Sequence, residues 1–174
     1  FLFYGVSLLV TRLFDHTSDD AAFKCNFRYG FILGVATSQF LGVFCCVLGV
    51  DRLGRVKTQV LGYTTCAIAL GLCLAVNTTG DAAFFFVYVA TAAAMMGSAC
   101  SWIHCAELYD TNLRATGHAA ALTFSRIGAF LSSYFVDSNI DVAAVIAVLA
   151  LGGGLLPALA ISASLPETAG KILG

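Results

Sequence analysis

The chain has 174 residues, 59% of them hydrophobic and 11% charged, with mean hydropathy +0.89 and a formal net charge of −1. Soluble domains carry about 25% charged residues, so water is excluded as the main solvent. Nine Lys and Arg against ten Asp and Glu, with no dense basic cluster, exclude nucleic acid as a partner.

Apolar runs recur along the chain, close to the about 20 residues with which a helix crosses a bilayer. The first, 1–14, is too short, and because the chain opens on Phe1 it reads as a truncated helix. Full-length runs follow at 29–50, 59–76, 82–106, 115–136 and 142–165. A membrane barrel would alternate apolar and polar residues over about ten positions, and 142–151 shows no such alternation. The expected fold class is therefore all-α: six transmembrane helices in a multi-pass protein, with the lipid bilayer around them. The second run carries Gly30, Gly34, Ser38, Gly42 and Cys46 at four-residue spacing, a face on which another helix can approach closely. The third and sixth runs are nearly featureless and are expected at the lipid-facing periphery. In the sixth, Gly152, Gly153, Gly154 and Pro157 read as packing and bending residues.

The connections give the orientation. The second, 51–58, holds Arg52, Arg55 and Lys57, and the fourth, 107–114, holds Arg114. The third and fifth hold only acids, Asp81, Asp137 and Asp141. The positive-inside rule places the basic connections and the tail with Lys171 in the cytoplasm. The first connection, 15–28, has Lys24 and Arg28 balanced by three aspartates. Of seven cysteines only Cys25 sits in a polar segment, and the odd count argues against a disulfide framework. Cys100, His104 and Cys105 lack metal-type spacing, so no metal and no cofactor are expected.

Three segments carry a family resemblance. Asp51-Arg52-Leu53-Gly54-Arg55-Val56-Lys57 resembles the D-R-x-G-R-R/K signature between helices eight and nine of major facilitator superfamily transporters. Glu107-Leu108-Tyr109-Asp110-Thr111-Asn112-Leu113-Arg114-Ala115-Thr116-Gly117 resembles the signature between helices ten and eleven. Leu165-Pro166-Glu167-Thr168-Ala169-Gly170-Lys171 is similar to the one after helix twelve. The opening run and Ser125-Arg126-Ile127-Gly128-Ala129 resemble the synaptic-vesicle-related and organic-ion branch. Asp110 replaces the family's Pro, Val56 a frequent base and Ala169 a frequent Lys. The resemblance implies helices seven to twelve of a twelve-helix fold, built as two inverted three-helix repeats. It also implies a missing N-terminal six-helix half as partner, a small organic solute, and a coupling proton or sodium ion. A cytoplasmic gate network of Asp51, Arg52, Gly54, Arg55, Glu107, Arg114 and Glu167 follows from it; from composition alone, these residues could equally anchor loops.

Arg126 lies about 16 Å into the fifth helix, near the midplane of a hydrocarbon core of roughly 30 Å. A charge there should face the bundle interior and have a partner, yet no Asp or Glu lies deep inside any run. The resemblance implies that a basic residue here serves an organic anion; a structural pair with the absent half is the other reading. Gln39 and Tyr4 are candidate neutral contacts. Trp102 resembles a tryptophan of sugar porters, which keeps a sugar as the alternative solute, although Trp at a helix end is also an interface anchor. His104 and His118 read as interfacial residues. Asn77-Thr78-Thr79 is a sequon in a loop too short to hold a glycan clear of the membrane. Two other functions remain in view: a transporter-like binding protein without transport, and an intramembrane serine hydrolase with Ser98 as nucleophile. The latter is disfavoured because Ser98 and His118 should lie at different depths.

Overall fold

In lipid a backbone must satisfy its own hydrogen bonds, and an uninterrupted apolar sequence does this as helix. A computed structural model describes residues 1–15, 29–75, 81–110, 112–137 and 141–164, and every regular element among them is helical. These are α1 (Leu2–Asp15), α2 (Tyr29–Leu53), α3 (Arg55–Ala75), α4 (Asp81–Leu108) and α5 (Arg114–Asp137). The sixth span is composite: α6 (Val142–Val148), a π-helical segment (Leu149–Leu155) and α7 (Leu156–Ser164). The helices α2 to α5 and the sixth span are each long and apolar enough to cross a membrane, whereas α1 is apolar over the shorter stretch Leu2–Thr11. Lys24, Arg28, the sequon, Glu167 and Lys171 lie outside the described residues.

The second connection differs from its sequence reading. Instead of an open loop over 51–58, the chain turns at the single residue Gly54, with φ 92°. That left-handed conformation is free of steric cost only for glycine. Its carbonyl accepts the Thr58 N–H at 3.3 Å and the Thr58 hydroxyl at 2.7 Å, which starts α3 at once. Hydropathy marks where apolar sequence stops, while the hydrogen-bond ladder runs on through Asp51 and Arg52. The charged residues of this connection are therefore helix termini.

Small residues set the packing. Along α2, Gly34 faces the Phe84 ring, Ser38 and Cys46 are fully buried, and Gly42 lies against the Ala92 carbonyl and Met95. Gly30, at the top of the same stripe, meets nothing within 4 Å. Helices α3 and α4 approach backbone to backbone: a Cβ on Gly62 would stand 2.8 Å from the Gly97 nitrogen and 3.0 Å from the Ala93 carbonyl oxygen. The third and sixth spans each have one packed face. Gly154 sits over Ala67, and Gly153 over Leu2. Leu61, Ile68 and Leu72 of α3, and Leu151, Leu155 and Leu159 of the sixth span, form exposed apolar stripes on the other side.

The π-helical segment follows from local sequence. Pro157 has no N–H to give, and its ring crowds the carbonyl four residues back, while three consecutive glycines widen a turn at little steric cost. The Leu156 N–H accordingly bonds to the Leu151 carbonyl, five residues back. The core lies where α1, α3, α4 and the sixth span meet, around Val6, Leu9, Leu70, Ala90, Ile146 and Leu149. Helix α5 joins it through Val136 near its C-terminal end, and most of the rest of α5 is uncovered.

Candidate functional site

At the end where α2, α3 and α5 carry Arg52, Arg55 and Arg114, Arg55 clasps Glu107 of α4. The guanidinium donates from Nε to both carboxylate oxygens, at 2.9 and 3.2 Å, and from Nη2 to Oε1 at 2.8 Å. Both side chains remain partly exposed, at 25% and 19%. A planar fork meeting a carboxylate is the strong form of ion pair, yet exposure keeps it separable. Gly54 positions Arg55 at the first turn of α3, and Cys100 Sγ bonds to the Arg55 carbonyl at 3.1 Å. Asp51 and Arg52 are exposed, and Arg114 is half-buried with its Nε lacking a hydrogen-bond partner.

The second signature is a packing device. The Asp110 carbonyl accepts the N–H groups of Leu113 and Arg114, both at 2.9 Å, and so initiates α5. The Tyr109 ring covers Gly117 closely enough that a Cβ there would stand 2.7 Å from it. The Tyr-to-Gly spacing thus fixes how α5 leaves the rim.

Below the rim, α1, α3, α4 and α5 line an open-sided cavity of about 540 Å³, with Tyr4, Tyr63, Ser98, Ser101, Trp102 and Ser125 among its walls. On α4, Ser98 and Cys105 both line it, a depth of about 10 Å at helical rise. The Trp102 indole packs on the His118 ring with centroids 5.2 Å apart, joining α4 to α5. Of the four candidate solute contacts, Tyr4 and Trp102 line the cavity and Gln39 and Arg126 do not. Gln39 lies half-buried on α2, and Arg126 is on the exposed side of α5, directly after the cavity residue Ser125.

His104 differs from its reading as an interfacial residue: it is 2% exposed, and neither ring nitrogen has a hydrogen-bond partner. It therefore does not serve Ser98 as a base, and His118 is occupied against Trp102. Among the described residues there is no group of three or more His, Cys, Asp or Glu able to hold a metal ion.

Sequence reading missed a polar cluster between α3 and α4. The Gln59 amide and the Tyr63 hydroxyl both meet the Ser101 hydroxyl, the latter at 2.9 Å, and Ser101 donates to the Gly97 carbonyl at 2.8 Å. The signal was Arg55, Gln59 and Tyr63 at four-residue spacing, one helical face, which a hydropathy average over the run smooths away.

The chain resembles several known proteins along most of its length. It is 26% identical to synaptic vesicle 2-related protein of Rattus norvegicus, over 99% of this chain and 34% of that protein. The Bos taurus protein of the same name is also 26% identical, over 98% of this chain and 34% of its own length. Solute carrier family 22 member 6 of Mus musculus is 27% identical over 75% of this chain and 24% of that protein. The chain thus spans about a third of the length of its synaptic vesicle 2-related relatives. The family described as "Sugar (and other) transporter" matches residues 11–173. That match points to a transporter and away from an enzyme. With five helices fit to cross a bilayer, this chain is an integral multi-pass membrane protein belonging to the sugar (and other) transporter family of the major facilitator superfamily.

Proposed function

We propose that this chain forms the C-terminal half of a twelve-helix carrier that moves a small organic anion across the membrane by alternating access. Six upstream helices complete the fold, and a proton or sodium ion is the candidate coupling ion. The observation that carries the reading is a cavity bounded on one side by a helix, α5, that is largely uncovered and bears a cation on its open face. An arginine facing lipid costs at least about 2.5–3.5 kcal/mol, so that face needs a partner bundle, an anionic solute, or both. Alternating access is rocking of two bundles about a central site, and the Arg55–Glu107 clasp is a contact that can break and reform as the rim opens. The name of the solute carrier relative adds no solute, but the family accommodates solutes beyond sugars by its description.

Uptake into proteoliposomes containing the full-length carrier tests this, with carboxylate, neutral and cationic solutes compared. Arg126→Lys should retain transport with weakened affinity, because a point charge replaces a planar fork. Arg126→Ala should abolish transport and leave the protein folded. If Arg126 instead pairs with an upstream acid, its loss strands that acid at about 3–5 kcal/mol and folding fails first. A preference for cations in the unmutated carrier refutes the anion reading, and no uptake of any solute refutes transport in favour of a binding role. A neutral, sugar-like solute is the second reading, favoured by Trp102 and the hydroxyls of Tyr4, Tyr63, Ser98 and Ser125 in the cavity wall.

A further inference from the structure

The cluster of Gln59, Tyr63 and Ser101 has a direction. A serine hydroxyl has one hydrogen and two lone pairs. Ser101 sits 2.8 Å from the Gly97 carbonyl, which can only accept, so its hydrogen is committed there. Its lone pairs then receive the Gln59 amide N–H and, at 2.9 Å, the Tyr63 hydroxyl. Exchanging the oxygen and nitrogen of the Gln59 amide leaves this result intact, because Ser101 would then donate to the amide oxygen. In either arrangement Tyr63 gives its only hydrogen to Ser101, so its oxygen, on a residue that lines the cavity, can only accept. Backbone contact between Gly62 and Gly97 holds the two helices at this level, and the Tyr63 ring lies over Gly97, 3.0 Å from where a Cβ would stand. The phenol is thus placed by packing as well as by its hydrogen bond.

We infer that Tyr63 is a specificity-determining contact: its oxygen accepts a hydrogen bond from an O–H or N–H group on the solute, so the carrier prefers solutes that bear such a donor. The inference rests on the transport reading above and names the solute class within it, an organic anion carrying a hydroxyl or amine donor. Ser101 and Gln59 are positioning residues. They act through Tyr63, by holding its proton away from the cavity. A solute lacking the donor leaves the phenol oxygen facing apolar surface in a space from which water has been displaced, and this lost hydrogen bond is what the carrier discriminates.

The test uses the full-length carrier in proteoliposomes with aromatic carboxylates of one size, benzoate against 3- and 4-hydroxybenzoate. In the unmutated protein at least one hydroxybenzoate should be taken up with a KM about 2–10-fold below that of benzoate, the range of one neutral hydrogen bond. Tyr63→Phe keeps the ring that packs on Gly97 and should raise the KM of the hydroxybenzoate to that of benzoate, with benzoate itself little changed. Ser101→Ala leaves Tyr63 in place but frees its hydrogen toward the cavity, so the preference should shrink although the phenol is still present. A purely structural role predicts a different pattern, in which both variants lower uptake of all three probes in proportion to folded protein in detergent; that result overturns the inference. Equal KM values for the probes in the unmutated carrier overturn it too. Transport of neutral or cationic solutes with no carboxylate uptake overturns the proposed function, and the solute class named here falls with it.

Discussion

Two glycines on the same helix should respond in opposite directions to the same substitution. Gly62 and Gly71 both lie inside α3, and replacing either by alanine gains about 1 kcal/mol of helix propensity. At Gly71 nothing lies within 4 Å of the new methyl, so that gain stands. At Gly62 the methyl would lie 2.8 Å from the Gly97 nitrogen and 3.0 Å from both the Ala93 oxygen and the Gly97 Cα. All three are backbone atoms of α4, so no rotamer change relieves the overlap and the two helices must separate by roughly half an ångström. Overpacking of this kind costs about 1–3 kcal/mol. Because the propensity gain is common to both variants, it cancels in their difference, which should equal that cost. Separation also stretches the Tyr63–Ser101 bond and the Arg55–Glu107 clasp, which span the same helix pair at 2.9 and 2.8 Å. Thermal unfolding of the full-length carrier in detergent should place Gly71→Ala at or above the unmutated protein and Gly62→Ala clearly below it. If Gly62→Ala melts at or above Gly71→Ala, the close crossing of α3 and α4 is not what holds this bundle.

The rim and the turn give two further expectations. Glu107→Gln should change the transport rate more than the amount of folded protein, because a partly exposed ion pair contributes only about 0–1 kcal/mol to stability. The charge-reversed double variant Arg55→Glu with Glu107→Arg should recover part of the rate, and normal turnover after neutralising Arg55, Glu107 and Arg114 together would remove any gating role. Gly54→Ala forces an L-residue into φ 92° and should cost about 1–2 kcal/mol, read as lower folded yield and melting temperature. Gly54→Asn should cost less, since asparagine tolerates that region, and an alanine variant as stable as the unmutated protein would show that the turn relaxes.

The amino-acid sequence by itself determined the solvent, the number of apolar runs and the family. These are properties of composition and of short ordered motifs, which survive without knowledge of what touches what. The sequence also placed Arg55 and Glu107 at one end of the molecule, because helix parity puts the second and fourth connections on the same side. It did not determine that these two would clasp while Arg52 stays exposed and the Arg114 Nε goes without a hydrogen bond, because pairing depends on helix azimuth. That azimuth is set by Gly54 at one end of α3 and by the Gly62 crossing in its middle. Only the tertiary structure brought Gln59, Tyr63 and Ser101 together, since α3 and α4 meet there across 38 to 42 residues of chain. It likewise separated Tyr4 and Trp102, in the cavity wall, from Arg126 on the open side of α5, although all three lie in apolar runs. Hydropathy records how deep a residue can sit in the bilayer. Which neighbour it faces at that depth is decided by where small residues let one helix backbone approach another.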